Sequence, residues 1–243
     1  MGHPATLSAV VDEAEVPADE IASLRRIAAR IVLPRRGAWM ERGAWSVREA
    51  DIGDMRDYVP AEPRRGVGRV ELVQSAERMT ELRRDLLSSE EVDWSHYIHS
   101  STDHLAEPDG IRPEDFVLAI RRPRRRRWEG MLVARRSVWL SPGEHAPRLE
   151  YRLHPDFIYV DPAARGEMLA AALTAAAAVQ IEHDVSAIAE RIEGMEKRPE
   201  IVASVVGEAA SDGGVRMFDE LVSAMELSSE FAFAEPVSHY HDF

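Results

Sequence analysis

Between Phe116 and Val160 three apolar runs follow one another with only turn-forming residues between them, and this spacing constrains the fold more than any other feature. Phe116-Val117-Leu118-Ala119-Ile120 has the length and continuity of a buried strand. Trp128 through Leu140 is longer and alternates, and Leu149 to Val160 is a third run of the same kind. An arginine block containing Pro123 separates the first from the second, and Pro142-Gly143 separates the second from the third. Connections this short join antiparallel neighbours, since a parallel crossover needs a dozen or more residues. Gly166 then opens an alanine-rich helix. The expected core is a strand meander covered by that helix.

Upstream, Val70, Leu72 and Val73 predict a short strand, and Ser75 or Ala76 starts a helix bearing Met79, Leu82, Leu86 and Leu87. A second helical stretch is expected from about Trp94 to Leu105. Nearer the N-terminus, Ile21, Leu24, Ile27, Ala28 and Ile31 share one helical face. Pro17 and Asp19 open that helix and Pro34 closes it, giving a span of about 18–33. Residues 1–17 are small, acidic and weakly patterned, the composition of a segment that is mobile unless a partner holds it. The stretch 60–66, Pro-Ala-Glu-Pro-Arg-Arg-Gly, reads as a linker. The chain is therefore expected to divide into an N-terminal extension, 1–66, and a main domain, 67–243. Within the extension Arg36-Gly37-Ala38-Trp39 is echoed by Arg42-Gly43-Ala44-Trp45. Arginine and tryptophan anchor interfaces, so Trp39 and Trp45 suggest a docking element for a protein partner or a second copy. The competing reading is a turn whose two indoles cover the core of the next domain.

Composition removes several function classes. No run of eighteen apolar residues spans a membrane, and the start of the chain lacks a basic, apolar leader, so a cytoplasmic protein is expected. Cysteine is absent, which excludes disulfides, thiolate metal sites and cysteine nucleophiles. A net charge of −13 argues against general nucleic-acid binding. Arg121, Arg122, Arg124, Arg125, Arg126 and Arg127, followed by Trp128, run against that balance. They read either as a phosphate or RNA contact or as a charged hairpin tip that protects strand edges. No glycine-rich kinase loop, dinucleotide fingerprint or serine elbow is present.

The order strand, two helices, three antiparallel strands, helix resembles that of the GNAT (Gcn-related N-acetyltransferase) superfamily. The resemblance sharpens at Val160-Asp161-Pro162-Ala163-Ala164-Arg165-Gly166, which is similar to the family's fourth strand running into its cofactor loop. It implies an α+β fold, a mixed but mostly antiparallel central sheet flanked by helices, here with an N-terminal helical extension. It also implies transfer of an acetyl group from acetyl-CoA to an amine. Val160, Arg165, Gly166, Glu167, Met168, Leu169 and Ala170 would then hold the pyrophosphate, because orphan N–H donors and the positive dipole end of a helix attract an anion. The sequence departs from the family pattern in two places. Met168 stands where a second glycine is usual, and Glu167 puts negative charge beside the phosphates. For the base, the resemblance points to a carboxylate near the long strand, Glu150 or Glu144. The family's acid is a tyrosine on the last helix, but the matching position in Val215–Leu221 is Phe218, which leaves Tyr159 as the fallback.

Between Asp184 and Ser211 two readings compete. The resemblance puts a strand at Val185–Ala189, whereas Ile181, Val185, Ile188 and Ile192 at helical spacing continue the helix and move the strand to Ile201–Val206. The resemblance is preferred here. Phe231–Ala234 is expected to be a final strand in either case. His96, His99 and His104, with Asp93 and Asp103, share a probable helical region, but zinc-helix spacing is missing and no metal is expected. His239-Tyr240-His241 reads as an exposed tail. Two functions remain in competition: an acyl-CoA-dependent N-acyltransferase, or an inactive relative serving in a larger assembly such as a phage particle.

Overall fold

The computed structural model describes residues 6–11, 16, 18–34, 45–48, 66–88, 95–107, 110–208, 212–227, 232–233 and 238–239. Trp39, Asp93, Tyr240, His241 and the linker 60–65 lie outside them. The architecture is α+β: one eight-stranded, mostly antiparallel sheet with helices on both faces. Strands β4 (Trp45–Arg48), β5 (Gly66–Leu72), β6 (Asp115–Arg121), β7 (Gly130–Ser141) and β8 (Arg148–Val160) pair antiparallel with their neighbours in sequence. Beyond them β9 (Glu200–Val205) runs parallel to β8, and β10 (Ala232–Phe233) runs parallel to β9.

Alternation along the meander builds two cores. Phe116, Leu118 and Ile120 of β6 and Leu132 and Ala134 of β7 face the long helix α4 (Leu169–Ile192). The intervening Val117, Ala119, Met131 and Val133 face α2 (Ala76–Leu87) and α3 (Ser95–Thr102). Helix α2 starts at Ser75, whose hydroxyl accepts the Arg78 N–H as an N-cap. Its buried residues Met79, Leu82 and Leu86 recur at helical spacing. No helix among the described residues is long and apolar enough to cross a membrane.

The N-terminal elements share the first core. Helix α1 spans Ala18–Ala28, shorter than the periodicity predicts, because the chain turns at Ala29 and Arg30 and re-emerges as β3 (Val32–Pro34). Strand β3 pairs antiparallel with β1 (Thr6–Ser8), and both Ile31 and Leu33 are fully buried. Next, β2 (Val10–Val11) adds in parallel to Trp139 and Leu140 of β7. There β7 has outrun β6, whose pairing stops at Asp115↔Arg135, so β2 satisfies backbone groups that would otherwise be an open edge.

The helix α4 continues through residues 185–189, and the strand expected there forms instead at β9. Tertiary contacts decide this. Ile181, Val185, Ile188 and Ile192 make one buried stripe, and Asp184 on the same face accepts bonds from Arg136 (2.6 Å) and the Tyr151 hydroxyl (2.8 Å). Gln180, one turn earlier, donates to the other carboxylate oxygen at 2.8 Å. Uncoiling the helix at 185 would pull this carboxylate away from a guanidinium that has no exposure to solvent.

Candidate functional site

The parallel ladder between β8 and β9 ends early, and the sequence of β8 explains why. Pairing runs from Arg148↔Glu200 to Leu153↔Val205 and closes with the Val206 N–H donating to the Leu153 carbonyl. The next ladder position of β8 is Pro155, which has no N–H to give. Asp156 is then an extra residue, since Val133 pairs with Phe157 while Ala134 pairs with Pro155. This bulge reverses the facing of every later side chain. Leu149, Tyr151 and Leu153 point toward α4 before it, and Ile158 and Val160 do so after it. Beyond the bulge β8 keeps its partner β7 and loses β9.

The divergence opens a cleft of about 410 Å³. Its walls are Ile158 and Val160, the start of α4, and Arg216, Met217 and Glu220 of α5 (Asp212–Leu227). Its mouth is the loop Arg165–Met168. Gly166 (φ 84°) and Met168 (φ 60°) are both left-handed, and a Cβ at Gly166 would meet nothing within 4 Å. Met168 is the N-cap of α4 and offers no side-chain cap, and the first turn carries no acidic residue. The first N–H groups of a 24-residue helix therefore point toward a cleft flanked by Arg165 and Arg216. A volume within the usual range for small-ligand sites and an anion-favouring end define what this place can hold.

The loop is braced from the hairpin joining β6 to β7. Arg127 donates to Asp161 at 2.7 Å, while the other oxygen of Asp161 accepts the Ala163 N–H at 2.9 Å. Arg122 reaches Glu167 at 3.4 Å and grips Glu129 at 2.6 Å. Glu167, whose charge the sequence places beside the loop, is thus partly neutralised by Arg122. Burial works against ionisation of Glu129, but the side-chain and backbone bonds from Arg122 outweigh it and hold the carboxyl below its ordinary value. A carboxylate depressed in the folded state contributes stability above its unfolded pKa and loses it as pH falls through the folded one. Wild-type melting temperature is therefore expected to fall more steeply than that of Glu129→Gln on acidification from about pH 5 to about pH 3. Equal slopes in the two proteins would show that the Arg122 pair contributes nothing.

Of the residues singled out in the sequence, Val160, Arg165, Gly166, Met168, Leu169 and Ala170 come together at the cleft, with Glu167 on the loop beside it. Glu150, Glu144 and Tyr159 do not line it. Glu150 lies eight residues before Ile158, roughly 25 Å along an extended strand. The bond from Arg152 at 2.6 Å holds its carboxyl below the ordinary range, and the bond from Ser204 helps. Such a carboxylate is a weak base. Glu144 is exposed in the β7–β8 turn, farther still. Tyr159 is buried on the opposite sheet face with Trp128 and Val117, and its ring stacks on Phe157 at 6.3 Å. Phe218 is also buried, packed so tightly on Gly207 that an added Cβ there would meet its ring at 2.7 Å.

Sequence reasoning missed His154 and the α5 pair Arg216 and Glu220. The signal for His154 was the His-Pro-Asp string inside an apolar run, since a proline in a strand marks an edge or a bulge. His154 pairs with Arg135 at the last residue before the divergence, half-buried on the face away from α4. Burial, aided by the Arg135 charge, lowers its pKa and favours the neutral ring at neutral pH. Arg216 and Glu220 are one helical turn apart, spacing that α5 shares with many surface helices. Elsewhere, His99 and Asp103 are held together by the guanidinium of Arg83, which contacts both.

No family model matches the chain, and no curated protein matches it. A solved integron cassette protein from the mobile metagenome of V. cholerae is structurally similar over 62% of this chain and 80% of its own, at 10% identity and a TM-score of 0.36.

Proposed function

We propose that this protein is an acyl-CoA-dependent N-acyltransferase that moves the acetyl group of acetyl-CoA to an amine. The observation that carries this reading is the parting of β8 from β9 at Pro155, with the uncapped N-terminus of α4 at the mouth of the resulting cleft. In this reading the pyrophosphate meets the N–H groups of Leu169–Ala171, with Arg165 and Arg216 beside them. The thioester arm lies along Ile158 and Val160, where β8 has backbone groups that no neighbouring strand uses. The amine enters at the apex from the face of His154. Its nitrogen attacks the thioester carbon, the C–N bond forms, and the C–S bond breaks to release a thiolate that takes up a proton. His154 accepts the proton lost by the amine.

Calorimetric titration with acetyl-CoA tests the donor side. Saturable binding in the micromolar range is expected, abolished by Gly166→Trp and reduced only modestly by Gly166→Ala. The two variants share the backbone strain of a positive φ, which is worth about 1 kcal/mol, and differ only in bulk. Absence of heat with the wild type at millimolar acetyl-CoA would overturn the reading. It would favour the second one, an inactive chain of this fold within an assembly, which draws support from the strained Met168. That side chain is 36% exposed at the mouth of the cleft.

A further inference from the structure

The hairpin that braces the loop also builds a second concavity. A hollow of about 540 Å³ is lined by Arg69 of β5 and by Arg121, Arg122, Arg124, Arg125 and Arg126, with Gly68 and Pro123 completing it. Six arginines line this one hollow in a protein whose net charge is −13. Part of this charge is answered: Glu71 pairs with Arg69 (3.0 Å) and Arg121 (3.2 Å), and Arg122 pairs with Glu129 and Glu167. Among the described residues, Arg124, Arg125 and Arg126 have no carboxylate within ion-pair distance, and all three are exposed.

The tip is also held in shape. The Glu129 N–H donates to Ile120, the Arg122 N–H to the Glu129 carboxylate, and the Arg125 N–H to the Arg122 carbonyl. Arg121 spans the loop to the Arg126 carbonyl at 3.1 Å and lies over the buried Trp128 ring, 4.7 Å from its centroid. Arg124 sits at φ 66°, a left-handed conformation that a branched or long side chain adopts only when its surroundings impose it. Glycine at 68 lets β5 approach, since a Cβ there would meet Ile120 at 2.9 Å. With the backbone of the tip fixed in advance, only the exposed side chains of Arg124, Arg125 and Arg126 have to order when an anion arrives.

We infer that this arginine hollow is a binding site for a compact, phosphate-rich small molecule, separate from the cleft at α4. Three observations select the ligand class. Arginines gathered around one concavity, with the exposed Arg124, Arg125 and Arg126 at its rim, supply the donors that clustered phosphate oxygens accept. The one aromatic ring of the hairpin, Trp128, is buried beneath Arg121 and offers no face on which a base could stack, so recognition rests on the phosphates. The hollow is local in an acidic chain, so an extended polyanion leaving it would meet repulsion that a compact ligand escapes.

Titration of the full-length chain with inorganic triphosphate at about 50 mM salt is the test. The expected result is saturable binding that persists in Gly166→Trp, where the α4 cleft is blocked, and that weakens steeply as salt rises. Combined Arg124→Ala, Arg125→Ala and Arg126→Ala should weaken it about tenfold or more, with an unchanged melting temperature because all three side chains are exposed. Gly166→Trp should leave triphosphate binding intact, which separates this site from the proposed donor cleft. Adenosine 3′,5′-bisphosphate is the nucleotide arm, and displacement of triphosphate by it identifies a nucleotide rather than free polyphosphate as the natural source. No saturable binding, or equal binding by the triple variant, overturns the inference. A short single-stranded RNA that outcompetes triphosphate on the wild type and not on the triple variant overturns the small-molecule class in favour of RNA.

Discussion

Asp184→Ala is expected to destabilise the fold by about 3–5 kcal/mol, because it strands a guanidinium in the core. Arg136 has no solvent exposure and Asp184 is 2% exposed, and they meet at 2.6 Å. Arg136 has a further partner in the Pro113 carbonyl at 3.1 Å, which stays when the carboxylate goes. Burial pushes the Asp184 carboxyl up, against the pull of Arg136 and of the Tyr151 and Gln180 bonds. The charge is therefore tolerated only while all three donors remain in place. Urea unfolding at neutral pH measures the loss. A paired replacement, Arg136→Met with Asp184→Leu, is expected to recover most of it, since desolvating the ion pair costs much of what the pair returns. A loss below about 1 kcal/mol for Asp184→Ala would mean that solvent reaches Arg136 readily.

Under the proposed acyl transfer, His154→Gln is expected to lower kcat/KM by about a hundredfold or more, with acetyl-CoA affinity close to that of the wild type. The separation follows from position: the cleft proposed for the donor opens on the α4 side of the sheet, and His154 is on the other. A base works only in its deprotonated form, so wild-type activity should decline as pH falls through the His154 pKa, which lies below the ordinary value of about 6.5. The acid limb should be absent from the residual activity of the glutamine variant. An unchanged acid limb would assign the proton to another group, and Glu220 would be examined next as the carboxylate in the cleft wall.

The residues that could be placed from sequence are those whose information is local. The Pro-Gly turn at 142–143 and the three apolar runs predict β6, β7 and β8 within a residue or two at most ends, because strand period and turn chemistry act over neighbouring residues. Arg165, Gly166 and the helix after them could be located as an anion-favouring end for the same reason. The chemistry that remained hidden depends on partners far away in the chain. Glu150 looked available until Arg152 and Ser204, the latter 54 residues on, were seen to hold it. His154 became interesting only when Pro155 and Asp156 were seen to end the ladder with β9.

What the sequence by itself determined was the succession of β6, β7 and β8, the helix α4 after them, and the place of the Arg165–Met168 loop between β8 and α4. The fate of residues 185–189 was decided only in three dimensions. Local spacing favoured a helix there and the family resemblance a strand, and the helix holds because Asp184 must meet Arg136 and Tyr151 from other strands. The same holds for the N-terminal elements, where Leu7, Leu24 and Leu33 join a core whose other walls run from Val67 and Val70 of β5 to Leu221 of α5, far along the chain. Local patterning names an element and its apolar face. Which surface that face covers, and which polar groups end up paired, is settled by desolvation, and desolvation is a property of the assembled structure alone.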